Sequence, residues 1–136
     1  MLFVKVFLLM VLCHIIDDFV LQPICLSNLK QKSYWNDLIR EYTANGINTK
    51  KYCNDYYAGL IVHSLSWSIM IMLPIMFMLP ISGLLLIGCI IINMIVHAYV
   101  DDLKANKYKI NLIEDQLTHL LQIWVTFIIV ILNIII

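Results

Sequence analysis

Four apolar runs long enough to cross a bilayer predict an all-α integral membrane protein, with four transmembrane helices arranged as two helical hairpins. Composition agrees: 62% of the 136 residues are hydrophobic and 13% charged, with a mean hydropathy of +0.87. An ordinary soluble domain carries roughly 25% charged residues. The third observation is where the few polar groups lie. The stretch HAYVDDLKANKYKINLIEDQLTH, His97 to His119, holds two of the four histidines and four of the nine carboxylates (Asp101, Asp102, Glu114 and Asp115) between runs with almost nothing polar. The length fits a single transmembrane domain over 1–136. Net charge is zero and no basic run carries interleaved aromatics, which excludes a nucleic-acid partner. Membrane lipid is the expected partner, and an oligomer is compatible with the sequence.

The first helix is expected over about 2–22. Its sequence MLFVKVFLLMVLCHIIDDF superficially resembles a signal peptide, but His14, Asp17 and Asp18 stand where a cleavage site needs small residues, so it reads as a retained helix. Pro23 should end it, because a residue before proline is pushed out of the helical region. A polar loop follows at 27–54 with Lys30, Lys32, Arg40, Lys50 and Lys51. Within it, Ser33 is a candidate cap for an interfacial helix whose Trp35, Leu38, Ile39 and Tyr42 share a face and which Gly46 stops.

The second helix, about 55–79, opens at Asn54 and Asp55, and Pro74 or Pro80 should mark a kink or tight turn. The third, about 81–104, holds nothing more polar than Asn93 between Ser82 and Val96. The fourth, about 112–136, starts after Asn111, with Glu114 placed to complete a capping box. Cys13, Cys25, Cys53 and Cys89 form no C-x-x-C pair, and the cluster Met70, Met72, Met76 and Met78 has no accompanying histidine. Both sets read as packing or lipid-facing residues.

Eight of the nine Lys and Arg residues fall in the first and third connections and none in the second. Under the positive-inside rule both charged connections face the cytoplasm and both termini face outward, a multi-pass arrangement in the cell membrane. The histidines then acquire a common depth. His14 lies eight residues before Gln22, His63 nine after Asn54, His97 seven before Lys104 and His119 eight after Asn111. At about 1.5 Å rise per residue each sits roughly 10–14 Å inward from a cytoplasmic helix end. They should occupy one layer.

Asp18, Asp101 and Asp115 each stand four residues from a histidine, one helical turn away on the same face. Ionisable groups at that depth cost about 2.5–3.5 kcal/mol each and normally face a cavity, a partner or an ion. Imidazoles and carboxylates suit zinc, manganese or iron, so the expected ligands are His14, Asp18, His63, His97, Asp101 and His119, enough for one ion or for two sharing carboxylates. Asp115 and Asp102 are the candidate proton acceptors. Asp17, Gln22, Lys104 and Gln116 are candidates to orient ligands or hold substrate. The competing reading is that these polar groups are interhelical hydrogen-bond glue.

The pattern resembles that of domain-of-unknown-function family 3307, small polytopic membrane proteins of bacteria and phages. The shared features are H-x-x-x-D-F-x-x-Q (His14, Asp18, Phe19, Gln22), an early histidine in the second helix (His63), H-x-x-x-D-x-x-K (His97, Asp101, Lys104) and D-Q-x-x-H (Asp115, Gln116, His119). The long polar loop departs from the shorter connection usual there. The resemblance implies a shared site and no established activity.

The ligand layer with its surplus carboxylates favours a cytoplasm-facing, metal-dependent hydrolase of a lipid-like or phosphorylated substrate. A metal-ion or proton transporter is the first alternative, although the outer halves of the helices offer thin polar lining. A non-enzymatic bacterial or phage interaction protein, with a structural polar cluster and a working loop, is the second. A bis-histidine haem leaves the aspartates without a role.

Overall fold

A computed structural model of the chain describes residues 1–22 and 24–136, and every regular element among the described residues is helical. The expected break at Pro23 falls outside them. Helix α1 (Leu2–Ile15) runs without interruption into a π-helical turn, Ile16–Leu21, and the chain becomes extended at Gln22. The loop folds into α2 (Ile24–Leu29), α3 (Lys32–Ala44) and a 3-10 turn (Lys50–Tyr52). Helices α4 (Tyr56–Met78), α5 (Gly83–Ala105) and α6 (Leu112–Ile135) complete the chain. These last three are long and apolar enough to cross a membrane; α1 before its π turn has 14 residues.

The helix ends follow local chemistry. Pro74 sits inside α4, and the break comes at Leu79, held extended ahead of Pro80. Ser82 then caps α5 by accepting from Leu85 N at 3.2 Å. Asn111 caps α6 by accepting from Ile113 N and Glu114 N at 2.9 and 3.0 Å, while Glu114 accepts from Asn111 N at 2.8 Å, a complete capping box. Two sequence expectations shift. Ser33 is not a cap, because α3 begins one residue earlier at Lys32 with Gln31 in the cap position. Asp55, expected in the first turn of the second helix after Asn54 as its cap, itself stands in the cap position of α4, without a side-chain cap hydrogen bond. Gly46 follows the end of α3 with φ +78, a left-handed conformation that glycine adopts freely.

Each long helix buries one stripe of residues spaced three or four apart. On α6 the stripe is Asp115, His119, Ile123, Thr126 and Val130; on α1 it is Val6, Met10 and His14. On α4 it includes His63, Trp67, Ile71 and Ile75, and on α5 Cys89, Asn93, His97 and Asp101. The apolar ends of these stripes form the core, with Val6, Met10, Ile71, Met72, Ile75, Ile123 and Val130 almost wholly buried. The polar ends converge on the other side of Trp67. Outward faces are apolar, with Phe77 78% and Leu84 85% exposed, as suits helices surrounded by lipid.

Candidate metal centre

The four histidines and Asp17, Asp101 and Asp115 are each at most 4% exposed. The rings lie close: His97 stacks on His119 with centroids 4.1 Å apart, His63 and His97 are 5.0 Å apart, and His14 and His119 5.9 Å. Trp67 stacks on His97 at 4.2 Å and closes the cluster toward the apolar core.

Asp101 stands at the centre. Its Oδ2 faces His63 Nε2 at 3.5 Å and His97 Nε2 at 3.8 Å, and its Oδ1 faces His119 Nε2 at 3.6 Å. His63 Nε2 also lies 3.1 Å from His97 Nε2 and 3.5 Å from Asp18 Oδ1. Asp115 Oδ1 lies 3.3 Å from His119 Nε2. Ligands bound at about 2.0–2.2 Å around a tetrahedral ion are separated by roughly 3.3–3.6 Å, so these spacings match a coordination sphere. The donor atoms of Asp18, His63 and His97 lie within 4.8 Å of one another, as do those of His97, Asp101 and His119.

The hydrogen bonds give an independent test of fit. Asp18 Oδ1, Asp115 Oδ1 and both ring nitrogens of His119 are buried without a hydrogen-bond partner. Their neighbours in the same carboxylates are held from outside. Gln116 Nε2 donates to Asp18 Oδ2 at 3.3 Å and to Asp115 Oδ2 at 3.2 Å, and Lys104 Nζ donates to Asp115 Oδ2 at 2.6 Å. Each of these two carboxylates therefore presents one unsatisfied oxygen inward. A buried acceptor left unpaired costs about 1–3 kcal/mol, and more if charged; a cation among them removes that cost.

The surrounding residues fix the rings. Ser66 Oγ donates to Asp17 Oδ1 at 2.8 Å, and Asp17 Oδ2 faces His63 Nδ1 at 3.9 Å, which turns His63 Nε2 toward the centre. The Trp67 indole donates to His14 Nδ1 at 2.8 Å, so that nitrogen is already engaged. His14, with Asp18 Oδ2 at 3.5 Å, belongs to the cluster but lies at its margin. Gln22, with its amide oriented to satisfy both neighbours, donates to the Asp18 carbonyl at 3.2 Å and accepts from Lys30 Nζ at 2.8 Å.

The structure thus gathers His14, Asp17, Asp18, Gln22, His63, His97, Asp101, Lys104, Asp115, Gln116 and His119. It does not bring Asp102 among them. Asp102 is bound by Lys107 Nζ at 2.7 Å and Asn106 Nδ2 at 2.9 Å, and its hydrogen bond raises the pKa of the Lys107 ammonium.

Lys30, Ser66 and Trp67 had no place in the sequence-derived site. Lys30 Nζ donates to Asp101 Oδ2 at 2.6 Å. Its backbone is clamped by Asn106, whose Nδ2 donates to Lys30 O at 3.1 Å while its Oδ1 accepts from Lys32 N at 2.7 Å. The Trp35 indole donates to Leu29 O at 2.8 Å. On α4, a Cβ at Gly59 would come within 2.6 Å of Leu29 O, so only glycine admits the end of α2 there. A charged loop residue at helical spacing from nothing carries no one-dimensional signal; the basic character of the loop was the only hint. Compared with protein-family models, with curated proteins and with solved structures, the chain finds no match.

Proposed function

We propose that the protein is a four-span membrane hydrolase whose metal centre faces the cytoplasm and acts on a lipid-like or phosphorylated substrate. In this reading α1 with its π turn is the fourth span, both termini face outward, and the motif spacing reflects membership of family 3307. The observation that carries the reading is that Asp18 Oδ1, Asp115 Oδ1 and His119 Nε2 are buried without a hydrogen bond and lie at ligand-to-ligand spacing from their neighbours in the cluster.

Asp18, His63, His97, Asp101 and His119 hold a divalent transition ion, with zinc, manganese and iron all matching the donor set. When bound, the ion supplies a water acidic enough to react near neutral pH and offsets charge on a phosphoryl or carbonyl oxygen. The chain's own residues do the rest. Asp17 and Ser66 hold the His63 ring, Trp67 excludes water from the inner side, and Asp115 takes up a proton through its free Oδ1. Lys30, Lys104, Gln22 and Gln116 rim the cluster, and the two ammonium groups suit a substrate anion.

The test is turnover of phosphomonoesters, phosphodiesters and amides by nanodisc-embedded protein, metal-loaded against chelator-stripped. Metal-dependent turnover that Asp115→Asn abolishes supports the hydrolase; a loaded protein inert on every class contradicts it.

One observation favours a transport reading. Just beyond the histidines, Gln122 Nε2 donates to Asn93 O and Oδ1, both at 2.8 Å, and Thr126 Oγ1 to Asn93 Oδ1 at 3.1 Å. This network continues the polar stripe outward by about a turn. Metal flux into proteoliposomes at a rate that Asn93→Leu removes would replace hydrolysis with conduction.

A further inference from the structure

We infer that the centre is built for two ions bridged by Asp101. This deepens the metal-dependent reading above and rests on it. Donors lie on both sides of Asp101, and His97, whose donor atom is within 4.8 Å of those of Asp18 and His63 and also of those of Asp101 and His119, stands between them. Asp101 Oδ2, which also accepts from Lys30 Nζ at 2.6 Å, faces His63 Nε2 and His97 Nε2 at 3.5 and 3.8 Å, and Asp18 Oδ1 lies 3.5 Å from His63 Nε2. Asp101 Oδ1 faces the other way, 3.6 Å from His119 Nε2, which in turn lies 3.3 Å from Asp115 Oδ1. A carboxylate that turns each oxygen to a different set of nitrogens has the form of a bridging ligand, and paired catalytic ions stand roughly 3.5–4 Å apart.

Unsatisfied atoms occur in both groups. Asp18 Oδ1 belongs to the first, and Asp115 Oδ1 and His119 Nε2 to the second. An ion in the first group alone leaves Asp115 Oδ1 and His119 Nε2 buried facing each other, 3.3 Å apart. Both groups are also braced by one side chain, since Gln116 donates to Asp18 Oδ2 and to Asp115 Oδ2.

Charge fits the same picture. Asp17, Asp18, Asp101 and Asp115 carry four negative charges, and Lys30 and Lys104, each 2.6 Å from one of these carboxylates, return two positive ones. With neutral imidazoles one divalent ion brings the cluster to neutrality. A second gives it two positive charges in a region of low dielectric, which a dianionic group would balance. The substrate class most compatible with a two-ion state is therefore a phosphomonoester, on a lipid or on a soluble molecule. The assignment also moves Asp115 from proton acceptor to ligand, so that its substitution removes an ion as well as turnover.

The experiment is manganese loading of the full-length protein in detergent, read by elemental analysis and low-temperature electron paramagnetic resonance. Two Mn²⁺ per chain with the multiline spectrum of an exchange-coupled pair is the expected result. Asp115→Asn and His119→Gln should each retain one Mn²⁺ with an uncoupled six-line signal, in protein of unchanged helical content. One Mn²⁺ per chain with a six-line spectrum in the unmodified protein overturns the two-ion assignment and leaves a single-ion centre standing. No bound Mn²⁺, zinc or iron at all overturns both. With the loaded protein, phosphatidic acid vesicles and inorganic phosphate then separate the two sources of the dianion: a spectral change with either supports the substrate class, and a change with neither removes it.

Discussion

The chain contains two Asp-Asp pairs near helix ends, Asp17-Asp18 after α1 and Asp101-Asp102 in α5, each preceded by a histidine four residues before one aspartate. Their fates differ. In the first pair Asp17 is 2% exposed, and both members face the cluster, Asp17 toward His63 and Asp18 toward His14 and His63. In the second only Asp101 does, while Asp102 turns to Lys107 and Asn106. The two pairs also differ in backbone. Asp17 and Asp18 lie in the π-helical turn Ile16–Leu21. Asp101 and Asp102 lie in regular α-helix, where consecutive side chains diverge by about 100°. The π turn contributes two inward carboxylates and the regular helix end one.

The largest effect should come from the shared member of the regular pair. Asp101→Asn removes the charge that faces His63, His97 and His119 together, and bound metal should fall to background by elemental analysis. Asp17→Asn tests the π-turn pair from behind the ligands. It loosens the carboxylate that orients His63, and metal affinity should drop about 10–100-fold in a chelator competition titration.

Lys30→Met probes the cation opposite Asp101, with opposite signs in two states. The ion-free protein should lose about 3–5 kcal/mol, because a buried carboxylate loses its partner. Metal binding should tighten roughly tenfold, since the ammonium no longer opposes an incoming cation. A thermal melt would show a lower Tm without metal and a larger rise with it. The smallest effect belongs to Asp102→Asn. Its partner Lys107 is 46% exposed and the pair is screened by solvent, so Tm, metal content and turnover should stay close to those of the unmodified protein. Loss of metal in Asp102→Asn would remove the distinction between the two pairs.

What the sequence revealed and what it withheld follow the same line. The layer of histidines was legible because depth depends only on counting residues from a helix end, and His14, His63, His97 and His119 share that count. The i, i+4 pairing of His97 with Asp101 and of Asp115 with His119 was legible because an α-helix fixes which spacings share a face. Direction around the axis was not. Asp101 and Asp102 have nearly the same depth, and only the packing of α5 selects which faces inward. The π turn carries no periodic signature, so Asp17 had no assigned contact until Ser66 and His63 were seen beside it. Lys30 was hidden for a different reason. Its place depends on Asn106 and Gly59, both distant in the chain, and such contacts leave no trace in local spacing.

The claim on which the rest depends is that the buried His/Asp cluster holds metal. Elemental analysis of detergent-purified protein, prepared without chelator, tests it most directly, with unmodified chain beside Asp101→Asn of matched helical content. Near-stoichiometric or higher transition metal is expected in the former and background in the latter. Equal metal content in the two, or none in freshly prepared unmodified protein, would contradict it and leave the cluster as hydrogen-bonded packing between helices.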